Sequence, residues 1–211
     1  MEKIEKIRKA YVEYVLDNGQ APNSFYAFAK KLKMSEAELY EYYTSFEAME
    51  MELWESFFVQ ARATAESNEV FQKYSVREKL LGVYYTWIEI LKANRSFVVY
   101  SYKKLPQPVA AKNPQQLRQF KESFLNFAND LVYEGRESRE ILARPYISNR
   151  YAGALWANTL FILNFWVKDT SRGFELTDTA IEKTVNTGLD LMGQSLVDSV
   201  IDLAKFVYQN K

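Results

Sequence analysis

Apolar side chains recur along this chain every three or four residues, and no stretch alternates with a period of two between turn residues. That periodicity predicts helices throughout. Ile4, Ile7, Tyr11, Tyr14 and Val15 make the first stripe, and Asn18-Gly19 supplies a left-handed stop. Pro22, Asn23 and Ser24 open a short helix with Phe25, Phe28, Ala29 and Leu32 facing inward. Ser35 with Glu38, and Thr44 with Glu47, have the spacing of capping boxes at the heads of the next two helices. The second of these carries Met49, Leu53, Phe57 and Ala61 on one face.

A polar break at residues 67–73 precedes a further box, Ser75 with Glu78, and a helix presenting Leu80, Tyr84, Trp87 and Leu91. Asn94 interrupts that helix before a short one near 95–104, and the proline-rich stretch 104–115 predicts a loop. Leu117, Phe120, Phe124, Phe127 and Leu131 stripe the next helix, expected to stop near Glu134-Gly135. An apolar helix follows over Tyr146–Val167. A last one is expected to be capped by Thr177 and striped by Ile181, Val185, Leu189, Met192, Leu196, Val200 and Leu203. The fold class expected is all-α: a three-helix, helix-turn-helix head over residues 1–47, then a larger helical domain over 48–211.

Composition narrows the chemistry. Of 211 residues, 48% are hydrophobic and 16% aromatic, enough for a sizeable core with apolar surface to spare. Lys+Arg and Asp+Glu both number 27, so no global positive field gathers nucleic acid. The absence of cysteine and histidine excludes zinc clusters, disulfides, Ser-His-Asp triads and thiol nucleophiles. Only carboxylate chemistry is left open, and no constellation supports it; neither an enzyme nor a cofactor is expected. The start, MEKIEKIRKAYVEYV, lacks the apolar core of a signal peptide. The longest uncharged run, Tyr151 to Val167, is short for a membrane span and holds Asn158 and Asn164. A soluble, cytoplasmic chain without membrane contact is the expectation.

Residues 24–49 are the most telling. Phe28-Ala29, Met34-Ser35, Leu39-Tyr40, Tyr42-Tyr43, Ser45, Glu47 and Met49 stand at the spacing of a helix-turn-helix and the helix after it. In these positions the chain resembles the TetR family of bacterial transcriptional regulators. The likeness sits mainly in residues 1–55; beyond them only helix number and length agree. Three positions depart from the family pattern: Lys33 where the turn usually has glycine, Ala37-Glu38 for a small-threonine pair, and Phe46 for a lysine that commonly touches DNA phosphate. Loss of that glycine is tolerable at a modest backbone cost if Lys33 adopts the left-handed turn.

The head is acidic. Residues 1–50 hold seven bases (Lys3, Lys6, Arg8, Lys9, Lys30, Lys31, Lys33) and nine acids (Glu2, Glu5, Glu13, Asp17, Glu36, Glu38, Glu41, Glu47, Glu50), a net charge of −2. Phosphate neutralisation supplies most non-specific DNA affinity. Glu36 and Glu38 serve the helix dipole and cap, yet they would stay close to phosphates if that helix entered a groove. Candidate DNA contacts are Lys30, Lys31, Lys33, Ser35, Tyr40 and Tyr42.

In the larger domain, aromatic rings on facing helices suggest both core and a site for an apolar or aromatic small molecule. Arg62, Tyr84, Trp87, Tyr100, Phe124, Phe127, Asn158 and Phe161 are the candidate ligand contacts. Small residues on the last two long helices, Gly153 and Ala157 on one, Gly188 with Met192 on the other, are candidates for a homodimer interface. The resemblance implies a ligand-responsive regulator that binds a double-stranded, inverted-repeat operator as a homodimer. The acidic head keeps an alternative open: a carrier or sensor of an apolar or lipid ligand on the same fold, without DNA binding.

Overall fold

A computed structural model describes residues 2–107, 109, 113–144, 148–193 and 206–208. Every regular element among them is helical. In chain order these are α1 (Glu2–Asn18), α2 (Phe25–Lys31), α3 (Glu36–Tyr40), α4 (Phe46–Glu66) and α5 (Val76–Ala93). They continue as α6 (Arg95–Lys104), α7 (Arg118–Glu137), α8 (Tyr151–Lys168) and α9 (Glu175–Met192), with single 3-10 turns at Phe71–Lys73, Gln115–Leu117, Ser148–Arg150 and Arg172–Phe174. No helix among the described residues is long and apolar enough to cross a membrane.

The chain forms two compact units. Met1–Val59 with Glu89–Lys121 make the first, and Gln60–Ile88 with Glu122–Lys211 the second. In the first unit, Ile7, Tyr11 and Val15 of α1 are buried, as their spacing predicts. Tyr11 stacks on Phe46 (ring centroids 5.4 Å apart) and meets Phe28 and Phe97 edge-on. In the second unit, Tyr84 of α5 lies parallel to Phe124 of α7 at 6.3 Å, and Phe124 packs on Trp156 of α8 at 5.7 Å.

Caps explain most boundaries. Gly19 ends α1 at φ 68°. Ser75 and Glu78 form the full reciprocal box, the Ser75 N–H donating to the Glu78 carboxylate at 2.8 Å and the Glu78 N–H to Ser75 Oγ at 3.3 Å. The Ser75 hydroxyl also donates to that carboxylate, at 2.8 Å, and together with the Ser75 N–H it holds the Glu78 carboxyl below its ordinary pKa.

Three boundary expectations are corrected. Ser45, not Thr44, caps α4: its Oγ accepts from the Ala48 N–H at 3.1 Å. Thr177 does not cap α9. It lies in the first turn and donates to Asp169, whose carboxylate does the capping from eight residues upstream. Gly135 does not stop α7, which runs on to Glu137. Its missing side chain admits Ile141 instead: a Cβ there would meet Ile141 Cδ1 at 2.7 Å. Described from Tyr151, α8 has its expected start, Tyr146, outside the described residues, as are Leu196, Val200 and Leu203.

In the second unit, arginine side chains fix α9. The Arg144 guanidinium donates to three carbonyls at its C-terminal end: Leu191 (2.9 Å), Met192 (3.2 Å) and Gly193 (2.7 Å). Those acceptors have no partner inside a helix, so the cation also complements the helix dipole. Arg77 of α5 reaches Asn186 Oδ1 at 2.7 Å and Asp190 at 2.5 Å.

Candidate nucleic-acid interface and aromatic core

The helix-turn-helix is built by local rules. Ser24 caps α2, its Oγ accepting from the Ala27 N–H at 3.1 Å, and Ser35 caps α3 in the same way from Glu38 at 3.1 Å. Between them Lys33 sits at φ 57°. Its N–H bonds the Lys30 carbonyl and the Met34 N–H bonds the Ala29 carbonyl, the paired 5→2 and 6→1 bonds of a Schellman turn. A lysine therefore occupies a position that favours glycine, and the turn closes nonetheless. Leu39 and Tyr43 are buried behind it.

Lys30, Lys33 and Ser35 are exposed. Lys31, also exposed, lies over the Tyr14 ring at 4.7 Å. Tyr40 is half exposed and leans on Phe25 with ring centroids 4.9 Å apart, so it packs on α2 while offering its hydroxyl end to solvent. Tyr42 is half-buried, with the Lys3 ammonium 5.6 Å from its ring centre. Lys3 also pairs with the Glu38 carboxylate, which raises the lysine pKa. Glu38 thus returns no bond to Ser35; the capping box is half made, and its charge is met by a cation that sequence spacing did not single out.

Phe46 stands at the position of the usual lysine as part of an aromatic cluster. Its ring lies among Tyr11, Phe25 (4.7 Å) and Phe28 (5.7 Å). The aromatic cluster takes the position that a phosphate contact would need.

Polar ties then hold α1 to α4. Arg8 Nε donates to Tyr43 Oη at 2.7 Å and its Nη2 to Glu52 at 2.5 Å. Burial pushes the Tyr43 hydroxyl up to about 12, against the pull of Arg8 and with the push of Glu52. Deeper lies Glu50, only 7% exposed. Its carboxylate accepts from Tyr11 Oη at 2.7 Å and from Ser101 Oγ at 3.2 Å, with Lys104 Nζ at 3.5 Å. Trp54 Nε1 in turn donates to Ser101 Oγ at 3.0 Å. None of Glu50, Ser101 and Lys104 was a candidate from sequence. The available signal was an acid four residues after Phe46 and three before Leu53, inside an apolar stripe.

The ligand candidates separate by position. Tyr84, Trp87, Phe124 and Phe127 are all buried in the second unit. Tyr84 Oη shares a 2.8 Å hydrogen bond with Thr159 Oγ1, and burial raises its pKa more than bonding to Thr159 and Asn158 lowers it. Arg62 stands 5.3 Å from the Phe127 ring centre and pairs with Glu66 at 2.6 Å. Tyr100 belongs to the first unit, where Lys104 lies over its ring at 4.2 Å. Asn158 lines a groove between α8 and α9, and Phe161 is exposed, 6.0 Å from Phe165. No group of metal-ligating side chains occurs among the described residues.

That groove holds about 370 Å³ and is walled by Ala154, Leu155, Asn158, Thr187, Gly188, Leu191 and Met192, with Lys183 and Thr184 at one end. Gly153 and Ala157 are exposed beside it, Gly188 is half-buried, and Met192 is buried in its floor. Open space surrounds both Gly153 and Gly188.

The sequence matches a family model described as tetracyclin repressor-like, C-terminal domain, over residues 79–207. No curated protein sequence matches it significantly. Among solved structures it is similar to a TetR-family transcriptional regulator from Syntrophomonas wolfei, with a TM-score of 0.69 and 18% identity over 89% of this chain and 95% of that one. The fatty acid degradation regulator FadR from Bacillus halodurans gives 0.61 and 16% over 87% and 94%. A TetR transcriptional regulator from Nitrosomonas europaea gives 0.58 and 13% over 89% and 98%. At such identities the structural likeness establishes the fold. The family match adds more than half of the sequence, from early in α5 to beyond α9, and the chain belongs to the TetR family of transcriptional regulators.

Proposed function

We propose that the protein is a ligand-responsive transcriptional regulator that binds an inverted-repeat operator as a homodimer. The observation that carries this reading is the α2–turn–α3 geometry, capped by Ser24 and Ser35 and closed through Lys33. A family fold alone would not require that turn to survive without its glycine. Lys30, Lys33 and the hydroxyl of Tyr40 are exposed and supply the phosphate contacts, while α3 faces the major groove.

Homodimerisation uses α8 and α9. Leu191 exposes apolar surface in the groove, Ala157 and Phe161 expose more of it on α8, and a second copy of the two helices covers them as a four-helix bundle. An apolar ligand enters the aromatic cluster of Tyr84, Trp87, Phe124 and Phe127, with Arg62 as polar neighbour. Its binding favours a dimer whose two heads no longer match the half-site spacing, and operator affinity falls.

A second reading, a carrier or sensor of an apolar ligand without DNA binding, is favoured by one observation: Phe46 lies in the head's aromatic cluster instead of a phosphate-binding cation. Titration of the purified protein against DNA from its own promoter region separates the two. Specific binding that weakens with salt and is lost in Tyr40→Ala supports the regulator. No binding even at low salt sinks it and leaves the carrier.

A further inference from the structure

The first unit contains a cavity that the regulator reading does not use. It holds about 280 Å³ between α1, α4 and α6, and buried Glu50 lies in its wall. The rings of Tyr11 and Phe46, stacked 5.4 Å apart, face it together with Ala21 and Pro22. We propose that this cavity binds a small organic amine, its ammonium on the Glu50 carboxylate and its apolar part against the aromatic wall.

Three features argue for a cation. First, the Glu50 carboxylate is incompletely compensated. Oε1 takes the Tyr11 hydroxyl at 2.7 Å and the Lys104 ammonium only at 3.5 Å, while Oε2 takes Ser101 at 3.2 Å. An ionised carboxylate offers roughly four acceptor positions, so room remains for a further strong donor. Burying a carboxylate is costly unless it is paired and hydrogen-bonded, and a bound ammonium meets both conditions. Second, the cavity lining carries two acids, Glu47 and Glu50, against one base, Lys104. That balance repels anions. Third, Lys104 has another place to rest, over the Tyr100 ring at 4.2 Å with its side chain 44% exposed, so an incoming amine need not strand it.

The size limits the occupant. About 280 Å³ is near the lower end of small-molecule sites (roughly 300–1,000 Å³), which suits a compact monoamine rather than a long chain. The site is separate from the aromatic cluster of the second unit, and its walls α1 and α4 flank the helix-turn-helix itself.

Isothermal calorimetry with phenethylamine as probe tests the assignment, with 2-phenylethanol and phenylacetate as neutral and anionic counterparts. Saturable heat is expected for phenethylamine alone. Glu50→Gln should weaken it roughly ten- to hundred-fold, the loss of one charge-assisted bond. Ala21→Trp, which fills the cavity and leaves Glu50 in place, should abolish it; this variant decides the matter if Glu50→Gln loses its helical circular dichroism. No saturable heat with phenethylamine, equal binding of 2-phenylethanol, or binding that survives Ala21→Trp would each overturn the proposal. The measurement needs no DNA, so its failure is distinct from that of the operator titration.

Discussion

Asp169 and Thr177 meet twice: the carboxylate accepts the threonine N–H at 2.9 Å and its hydroxyl at 2.6 Å. The other carboxylate oxygen accepts the Ser171 N–H at 2.8 Å. Burial alone would raise the Asp169 pKa, but these donors outweigh it and hold it below the ordinary aspartate value. A folded pKa below the unfolded one gives stability that is fully present above the unfolded value and disappears as pH falls through the folded one. Asp169→Ala should therefore cost about 2 kcal/mol at neutral pH, the upper range for a lost cap. Urea midpoints of variant and wild type should converge as the pH is taken down through and below the ordinary aspartate range. A gap that stays constant with pH would contradict the assignment.

Lys33→Gly should stabilise the protein. The residue is held at φ 57°, where a Cβ costs roughly 1 kcal/mol, and its N–H bond to Lys30 does not depend on the side chain. The gain should appear as a higher urea midpoint at unchanged slope. Operator affinity should fall in the same variant, because an exposed cation is lost.

The acids of α3 and its C-cap Glu41 set a ceiling on DNA affinity under the regulator reading. Glu41 is exposed, and Glu36 is half-buried at the first turn. Glu41→Gln should tighten operator binding several-fold at low salt, with the difference shrinking as salt rises and screening shortens. Lys3→Ala should do the opposite, since it leaves Glu38 without its cation. Fluorescence anisotropy at two salt concentrations reads both signs.

Under the homodimer reading, Leu191→Glu should convert the dimer into a monomer. Leu191 is 53% exposed and lines the α8–α9 groove, so a glutamate there is solvated in a single chain and buried unpaired when a second copy docks. Light scattering after size exclusion should report half the mass, while the thermal unfolding of the isolated chain changes little. A dimer that persists in Leu191→Glu places the interface elsewhere.

Periodicity and caps were legible where the cause is local. The α5 stripe, the Ser75–Glu78 box and the Gly19 stop each depend on residues within one turn of each other. Long-range causes were not. Asp169 caps α9 across eight positions, and Thr177 has a good capping side chain, so spacing alone favours the wrong residue. At α4, Thr44 and Ser45 are both chemically able to cap, and spacing alone does not tell that Ser45 does. Gly135 reads as a stop because glycine favours helix ends, whereas its purpose here is the approach of Ile141. For the aromatic candidates, the 3.6-residue period tells which rings face inward. It does not tell which share a unit, and so Tyr100 and Tyr84 were grouped together.

The hold of Arg144 on α9 has a consequence for how this surface diverges. The guanidinium contacts the carbonyls of Leu191, Met192 and Gly193, and carbonyls are the same whatever side chains follow them. Leu191 is therefore free to drift while the helix end stays anchored. Arg144 has no such freedom. A lysine has one point of attachment and cannot reproduce the planar fork, so among descendants of this chain the latch should be kept and the face it steadies should vary.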